Sequence, residues 1–448
     1  MKKEYQTYEV TFEDMTHDAR GVCKIDGIPI FVKDGLKGEK SLIEITSRKK
    51  SYGEGRVIQR IETSPFRVDP ICEHFFSCGG CNLMHMEYQT QLDYKTYKTM
   101  TTLKKIGHVE TDLYPTYGMH QPYAYRNKVM FHFGLKNKEI IAGYFQEKSR
   151  NIVPIKRCHI VAKVFSEILE EIRNLAKENL LPIYQPETKQ GLLKSLMIRQ
   201  SNSTKEILLT FITVSRKMNN ADKIIERLSS LFPEVTGIIQ NFQDKNTTHL
   251  SKDFKVLFGQ NLLKETVGKI TYHLSYDSFF QVNPEQAEMI LFWAEEDLKL
   301  TGDETVLDAY AGVGYIGFSL ASKVKKVILV ESFEQAVIDG EKTAKSARLE
   351  NTSFIQGDAS DVIQSIDEKI DIVIVDPPRE GLEKRFIEAV ISRKIKKVMY
   401  VSCHVSTLAR DLKMFQEAGY QVESTKPLDM FPHTAHIESV TLLTLKTS

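Results

Sequence analysis

No apolar run in this 448-residue chain approaches the ~20 residues needed to cross a bilayer. The longest, such as Ile370–Val375 and the lysine-interrupted Val324–Val330, fall far short, so no membrane association is expected. The start, Met1-Lys2-Lys3-Glu4-Tyr5, runs into Gln, Thr, Glu and Asp without an apolar h-region, so the expected location is cytoplasmic. An excess of charge is also missing: 60 Lys and Arg stand against 59 Asp and Glu. Any polyanionic partner must therefore be met by local basic patches rather than by a global positive field. Repeats and low-complexity stretches are absent. What remains is ordinary globular composition, 42% apolar and 27% charged, at a length that suits two to four domains.

Cysteine is scarce, and its six copies are unevenly spread: Cys23, Cys72, Cys78, Cys81, Cys158 and Cys403. In a cytosolic chain these are reduced thiols or metal ligands. Three sit in Cys72-Glu-His-Phe-Phe-Ser-Cys78-Gly-Gly-Cys81, whose glycines let the backbone wrap closely around something at the thiolates. That pattern signals a metal site, with Cys158 the expected fourth ligand and His74, His85 and His159 as substitutes. Four thiolates suit tetrahedral zinc or a [4Fe–4S] cluster, and spacing does not choose between them.

Three regions follow from the patterning. Residues 1–63 alternate apolar and polar positions between turn signals at Asp26-Gly27, Asp34-Gly35 and Tyr52-Gly53, which predicts a five-stranded antiparallel barrel of the OB type. Residues 64–270 read as an α+β domain. It holds the cysteines, a helix over Tyr88–Ile106, a strand over Tyr123–Phe133 and an amphipathic helix over Val164–Asn179. In that strand Arg126 and Lys128 interleave with aromatics, an arrangement suited to an unpaired RNA strand. From 271 to 448 strands alternate with helices, which predicts an α/β, doubly wound Rossmann-like domain.

Chemistry concentrates in the last region. The strand Thr305–Asp308 enters Ala-Tyr310-Ala-Gly312-Val-Gly314, a glycine turn opening a helix. Glu331 closes the next strand, Asp358 follows the third, and Asp376-Pro-Pro-Arg379 ends the fourth, all at the edge where open α/β sheets bind ligands. A pyrophosphate would be repelled by these acids, whereas the cationic sulfonium of S-adenosylmethionine suits them. At the same edge Ser402-Cys403 ends the fifth strand, and Glu438 follows a loop rich in histidine. A thiol and a base are what methyl transfer to a pyrimidine C5 requires: Cys403 adds at C6, and Glu438 removes the C5 proton. Ser278-Phe279-Phe280-Gln281-Val-Asn283 offers a stacking ring and an amide for an unpaired or flipped base.

With these residues assembled, the chain resembles the RNA uracil-C5 methyltransferase family, and in particular its 23S ribosomal RNA branch. The start is similar to a TRAM domain, through Asp14-Met-Thr-His17, Gly21-Val22, Phe31-Val32 and Gly55-Arg56-Val57. The resemblance implies that Cys72, Cys78, Cys81 and Cys158 hold a [4Fe–4S] cluster. It implies cofactor contact at Gln281, Tyr310, Gly312, Glu331 and Asp358, and base stacking at Phe279. Asp376 is implied to touch cofactor or target uracil. Cys403 is implied as nucleophile and Glu438 as base, and a monomer acting on 23S ribosomal RNA is expected. Two departures stand out: His404-Val405 follows the nucleophile where the family usually has Asn-Pro, and Ala-Tyr-Ala replaces Leu-Phe-Cys in the glycine loop. The alternatives are a transfer-RNA uracil-C5 enzyme, a base-nitrogen methylase, which would need no Cys403, and an RNA-binding assembly factor without catalysis.

Overall fold

The computed structural model describes residues 6–243 and 250–446. The first strands, Thr7–Thr11 (β1), Asp14–Met15 (β2), Gly21–Ile25 (β3), Ile28–Lys33 (β4), Lys40–Arg48 (β5) and Gly53–Glu62 (β6), form one sheet in the order β1-β5-β6-β4-β3-β2. Alternation turns Val10, Cys23, Ile30, Val32 and Ile43 inward to a small core. The expected five antiparallel strands are corrected in two respects. The short β2 makes a sixth, and β6 runs parallel to β4. The cause is that β5 pairs with β1 rather than with β4, and its hairpin returns β6 alongside β4 in the same direction.

Next come the helix Tyr88–Thr102 (α1), which continues as one π-helical turn to Gly107, and the strand Asp112–Leu113 (β7). The central sheet holds Lys128–Lys136 (β8), Glu139–Phe145 (β9), Ile152–Pro154 (β10), Leu193–Gln200 (β11), Ile207–Thr213 (β12), Val235–Phe242 (β13) and Phe254–Gly259 (β14). Helices Lys163–Lys177 (α2) and Ala221–Leu231 (α3) accompany it, and α2 buries Phe165, Ile168, Leu169, Ile172 and Leu175 at helical spacing. The strand expected over Tyr123–Phe133 begins only at Lys128. Before it, Tyr123–Asn127 is an arm whose β pairing is one isolated bridge, Arg126 with Val161, and its amides are taken outside the sheet: Ala124 N donates to His159 O (2.9 Å) and Asn127 N to Val282 O (2.9 Å).

A hairpin, Leu262–Val267 (β15) and Ile270–Ser275 (β16), leads into the last region. There the helices are Pro284–Leu298 (α4), Tyr315–Leu320 (α5), Glu334–Ala347 (α6), Ala359–Ser365 (α7), Lys384–Ser392 (α8) and Val405–Glu417 (α9). The strands are Thr305–Ala309 (β17), Lys326–Glu331 (β18), Thr352–Gln356 (β19), Ile372–Val375 (β20), Lys397–Ser402 (β21), Tyr420–Leu428 (β22) and Glu438–Leu445 (β23). They form the order β19-β18-β17-β20-β21-β23-β22-β7, parallel from β19 to β21 and antiparallel at β23 and β22. Both faces are covered, so alternate residues of one strand enter different cores. Leu307, Val373, Val375, Val398 and Tyr400 lie under α7, α8 and α9, while Val306, Ile372, Ile374, Met399 and Val401 lie with α4 and α5. Among the described residues no helix is long and apolar enough to cross a membrane.

The segment Tyr88–Leu113 belongs by sequence position to the central region, yet it packs on the C-terminal sheet. β7 extends that sheet alongside β22, and α1 sends Lys95 into a fully buried ion pair with Asp429. Tyr88 Oη donates to the second Asp429 oxygen (2.8 Å), and Lys95 Nζ also reaches Phe431 O (3.3 Å). Removing one partner strands a charge in the interior. We therefore expect Lys95→Met to destabilise the protein by about 3–5 kcal/mol, and Lys95→Met with Asp429→Leu to recover most of that loss in denaturant unfolding. Equal stability of the single variant and the wild type would contradict the role given to the pair.

Candidate active site

The carboxyl ends of the parallel strands bring one group of predicted residues together. Gly312, at φ +56°, turns the chain after β17, and a Cβ there would meet nothing within 4 Å, so the turn opens on free space. Its amide donates to Glu331 Oε2 (2.9 Å) at the end of β18. The other Glu331 oxygen accepts from Phe333 N (2.8 Å). Asp358 caps α7 by accepting from Ser360 N (2.8 Å), and the Tyr310 ring packs on Phe386 at 5.8 Å. Asp308, buried beneath the turn, accepts from Gly317 N (2.7 Å). A Cβ at Gly317 would stand 2.7 Å from that same carboxylate, which is why only glycine fits there.

A second group meets around Cys403. The β21–β23 ladder ends with Ser402 opposite Ser439, and just beyond it Cys403 leaves the strand close enough to Glu438 for that carboxyl to act on its thiol. Asp376 ends β20 next door, and its Oδ2 accepts from Gln281 Nε2 (3.2 Å). Glu438 is 3% exposed, and its Oε1 has no hydrogen-bond partner. Burial raises its pKa well above the usual carboxylate range, and the nearby Asp376 adds to the effect. Burial likewise raises Asp376 and Asp308 to about 7. The Cys403 thiol is pushed up to about 12 by burial and then by Glu438 and Asp376, while the Arg379 guanidinium works against them. Cys403 also precedes the N-terminus of α9, whose dipole favours a thiolate. Phe279 is 60% exposed on the rim while its neighbour Phe280 is buried, and Asn127 Nδ2 holds Gln281 O (3.2 Å).

The four cysteines form a third group, apart from the first two. Cys72, Cys78, Cys81 and Cys158 line one cavity of about 300 Å³ together with Arg126 and Tyr144. Gly80 N donates to Cys78 Sγ (3.3 Å), and Tyr144 Oη donates to Cys158 Sγ (3.7 Å). Burial raises all four thiols, and for Cys78, Cys81 and Cys158 the neighbouring sulfurs add to the rise. Among the described residues there is no group of three or more His, Cys, Asp or Glu side chains that could hold a metal ion. Arg126 thus stands in the cavity wall. Lys128 is held near the buried Arg199, and burial, then Arg199 and Arg126, lower it to about 7.

Several residues that shape the site carried no local signal. Lys95, Lys98 and Gln91 of α1 reach the segment before Glu438: Lys98 Nζ donates to Ala435 O (2.6 Å), and His433 N donates to Gln91 Oε1 (3.1 Å). Tyr125 Oη donates to Pro432 O (3.1 Å), and the Tyr123 ring stacks on His433 at 4.6 Å. These partners lie more than 300 residues apart in the chain, so that even the residues visible within motifs, Tyr123, Tyr125 and His433, gave no sign of their pairing.

A doubly wound α/β domain with acidic strand ends and a thiol facing a buried carboxyl, preceded by a barrel, defines a methyltransferase with an appended binding module. The chain belongs to the tRNA (uracil-5-)-methyltransferase family, whose model matches residues 87–446, and a TRAM domain model matches residues 2–58. It is 38% identical to an uncharacterized RNA methyltransferase of Oceanobacillus iheyensis, over 99% of this chain and 97% of that protein. A second uncharacterized RNA methyltransferase, from Halalkalibacterium halodurans, is also 38% identical, over 98% and 97% of the two chains. The crystal structure of the Pyrococcus abyssi tRNA (uracil-54, C5)-methyltransferase in complex with S-adenosyl-L-homocysteine superposes with a TM-score of 0.78 at 25% identity, covering 97% of this chain and 99% of that one.

The charges around Cys403 yield a signed expectation. Because Arg379 favours the thiolate, Arg379→Ala raises the thiol's pKa. The pH midpoint of Cys403 alkylation by iodoacetamide, followed by peptide mass spectrometry, should move upward. An unmoved or lowered midpoint would remove Arg379 from the site's electrostatics.

Proposed function

We propose that the protein methylates C5 of a uridine in 23S ribosomal RNA, using S-adenosylmethionine, with Cys403 as nucleophile and Glu438 as base. The observation that carries this reading is the nearness of Cys403 to the buried Glu438, whose Oε1 has no hydrogen-bond partner, at the end of the β21–β23 ladder. The open turn at Gly312 and the carboxylates Glu331, Asp358 and Asp376 suit a cationic cofactor, with Gln281 and Tyr310 beside them. When bound, S-adenosylmethionine supplies an electrophilic methyl group and leaves as a neutral thioether.

The chain's own part is to activate the ring and to restore it. Arg379 and the α9 N-terminus favour the Cys403 thiolate, which forms the S–C6 bond while the C5=C6 electrons move toward O4. Asp376, whose carboxyl keeps a proton more readily than an ordinary one, offers a hydrogen-bond donor for that charge. Once C5 carries both methyl and hydrogen, Glu438 takes the C5 proton. The C5=C6 bond re-forms, and Cys403 leaves as thiolate. His433 and His436 are poorer bases than Glu438, because burial and nearby cations lower both to about 4. Phe279 stacks on the target base. Arg126, half-buried, offers a cation beside the Tyr123–Asn127 arm, whereas Lys128, lowered to about 7, is only partly charged near neutral pH.

Four thiols lining one cavity of about 300 Å³ are the donor set of a [4Fe–4S] cluster, which the family resemblance favours over zinc. Such a cluster in the cavity, the barrel as RNA-binding module, and monomeric action in the cytoplasm complete the reading. The family resemblance favours ribosomal RNA, whereas the barrel does not discriminate, because the likeness to the Pyrococcus abyssi tRNA enzyme covers 97% of this chain. Transfer RNA is the second reading, favoured by the whole-chain likeness to the Pyrococcus abyssi enzyme.

Nucleoside mass spectrometry tests the assignment. Incubation with S-adenosylmethionine should give 5-methyluridine in 23S ribosomal RNA fragments with wild type and none with Cys403→Ala. Methylation of transfer RNA alone would reverse the choice of substrate, and no methylation of either would leave an RNA-binding factor. Protein purified without air should be brown and contain about four irons per chain; colourless protein with stoichiometric zinc would overturn the cluster.

A further inference from the structure

Asn82, the residue after Cys81, lies where three parts of the molecule meet. Its amide and that of Leu83 donate to His433 O (3.0 and 2.9 Å). Its Oδ1 accepts from Ala435 N (2.8 Å), and its Nδ2 donates to Asp18 O (3.2 Å) in the barrel. The cysteine loop therefore grips the segment that ends at Glu438 and ties it to the barrel. That segment needs a grip, because His433 adopts a left-handed φ of 65°, which disfavours any residue with a Cβ. The peptide of Ala435 is held from both sides, its N–H by Asn82 and its C=O by Lys98. Two residues separate that fixed peptide from Glu438.

We infer that Asn82 is a positioning residue for the base, through which the folded state of the four-cysteine loop is transmitted to Glu438. The inference rests on the methyltransferase reading. The consequence is specific to one half-reaction. The nucleophile Cys403 sits on β21 and α9, which Asn82 does not touch, so addition at C6 does not need it. Removal of the C5 proton does, because Glu438 must lie on the line of the C5–H bond. A displacement of about 1 Å costs up to 10²-fold in such a step.

The test uses the full-length protein and the RNA that the wild type methylates, prepared with either uridine or 5-fluorouridine at the target. On 5-fluorouridine RNA the carbon–fluorine bond blocks proton removal, so the covalent complex seen on a denaturing gel reports addition and methyl transfer alone. Asn82→Ala should trap at the wild-type rate on this RNA, turn over uridine RNA about 10- to 100-fold more slowly, and accumulate a covalent adduct on it. Asn82→Asp keeps the oxygen that accepts from Ala435 N and should restore turnover. Iron content and visible absorbance should match wild type in both variants, which separates the effect on the base from damage to the cysteine site. Wild-type turnover by Asn82→Ala, or trapping and turnover falling together, would overturn the inference. Absence of a trapped complex with the wild type would instead overturn the covalent addition of Cys403 on which the inference rests, and absence of any RNA that the wild type methylates would overturn the methyltransferase reading itself.

Discussion

The ion pair of Lys95 with Asp429 fixes how α1 lies on the C-terminal sheet, and the reactive site depends on that placement. Both partners are fully buried, so each loses its hydration, and the mutual attraction is needed to offset that loss. Asp429 also accepts from Tyr88, and Lys95 also donates to a backbone carbonyl, so the pair is satisfied in several directions. An apolar contact of the same volume would leave α1 free to slide. A charge pair with directed hydrogen bonds permits one register. From Asp429 the chain runs directly through the histidine-rich segment to Glu438, so the same pair sets the start of the loop that carries the base.

The second constraint is electrostatic. Asp308, Asp376 and Glu438 crowd the ends of adjacent strands, and all three are pushed toward their protonated forms by burial. Such crowding works against stability and is characteristic of sites that do chemistry. The cations nearest the thiol, Arg379 and the positive end of α9, are too few to balance it. A positively charged cofactor relieves the repulsion and an anionic one would increase it, so the site's own charge selects the ligand class. The proton retained by Asp376 then becomes usable where negative charge develops on the ring, while the raised basicity of Glu438 suits it to take a proton from carbon.

Much of the C-terminal region was legible because buried parallel strands leave continuous apolar runs, and each functional residue sits at a run's end. The strand expected over Thr305–Asp308 starts where the sequence indicates and runs one residue further, to Ala309. The barrel was legible in its alternation but not in its pairing, because strand order depends on long-range register rather than on local pattern. The arm Tyr123–Asn127 shares the composition of a strand, and only its tertiary hydrogen bonds to His159 and Val282 remove it from the sheet. The docking of α1 was illegible for a similar reason. Lys95 is an ordinary helix residue until Asp429, 334 positions away, meets it.

The departure at His404-Val405 can be read from the same packing. A proline at the first turn of a helix preorganises the backbone, and this chain has valine there. Val405 is 5% exposed and belongs to the core beneath β21, so burial supplies the restraint that a ring would give. The His404 amide donates to Ser402 Oγ (3.2 Å), bridging across the nucleophile. Thr407 Oγ1 donates to Arg379 O (3.1 Å) and lies 3.3 Å from His404 Nδ1, so the turn after Cys403 is tied to the loop that carries Arg379. The backbone turns that carry the thiol and the cation favouring its ionised form are therefore tied together through one hydroxyl. That link keeps the two groups in register without the asparagine and proline found elsewhere in the family.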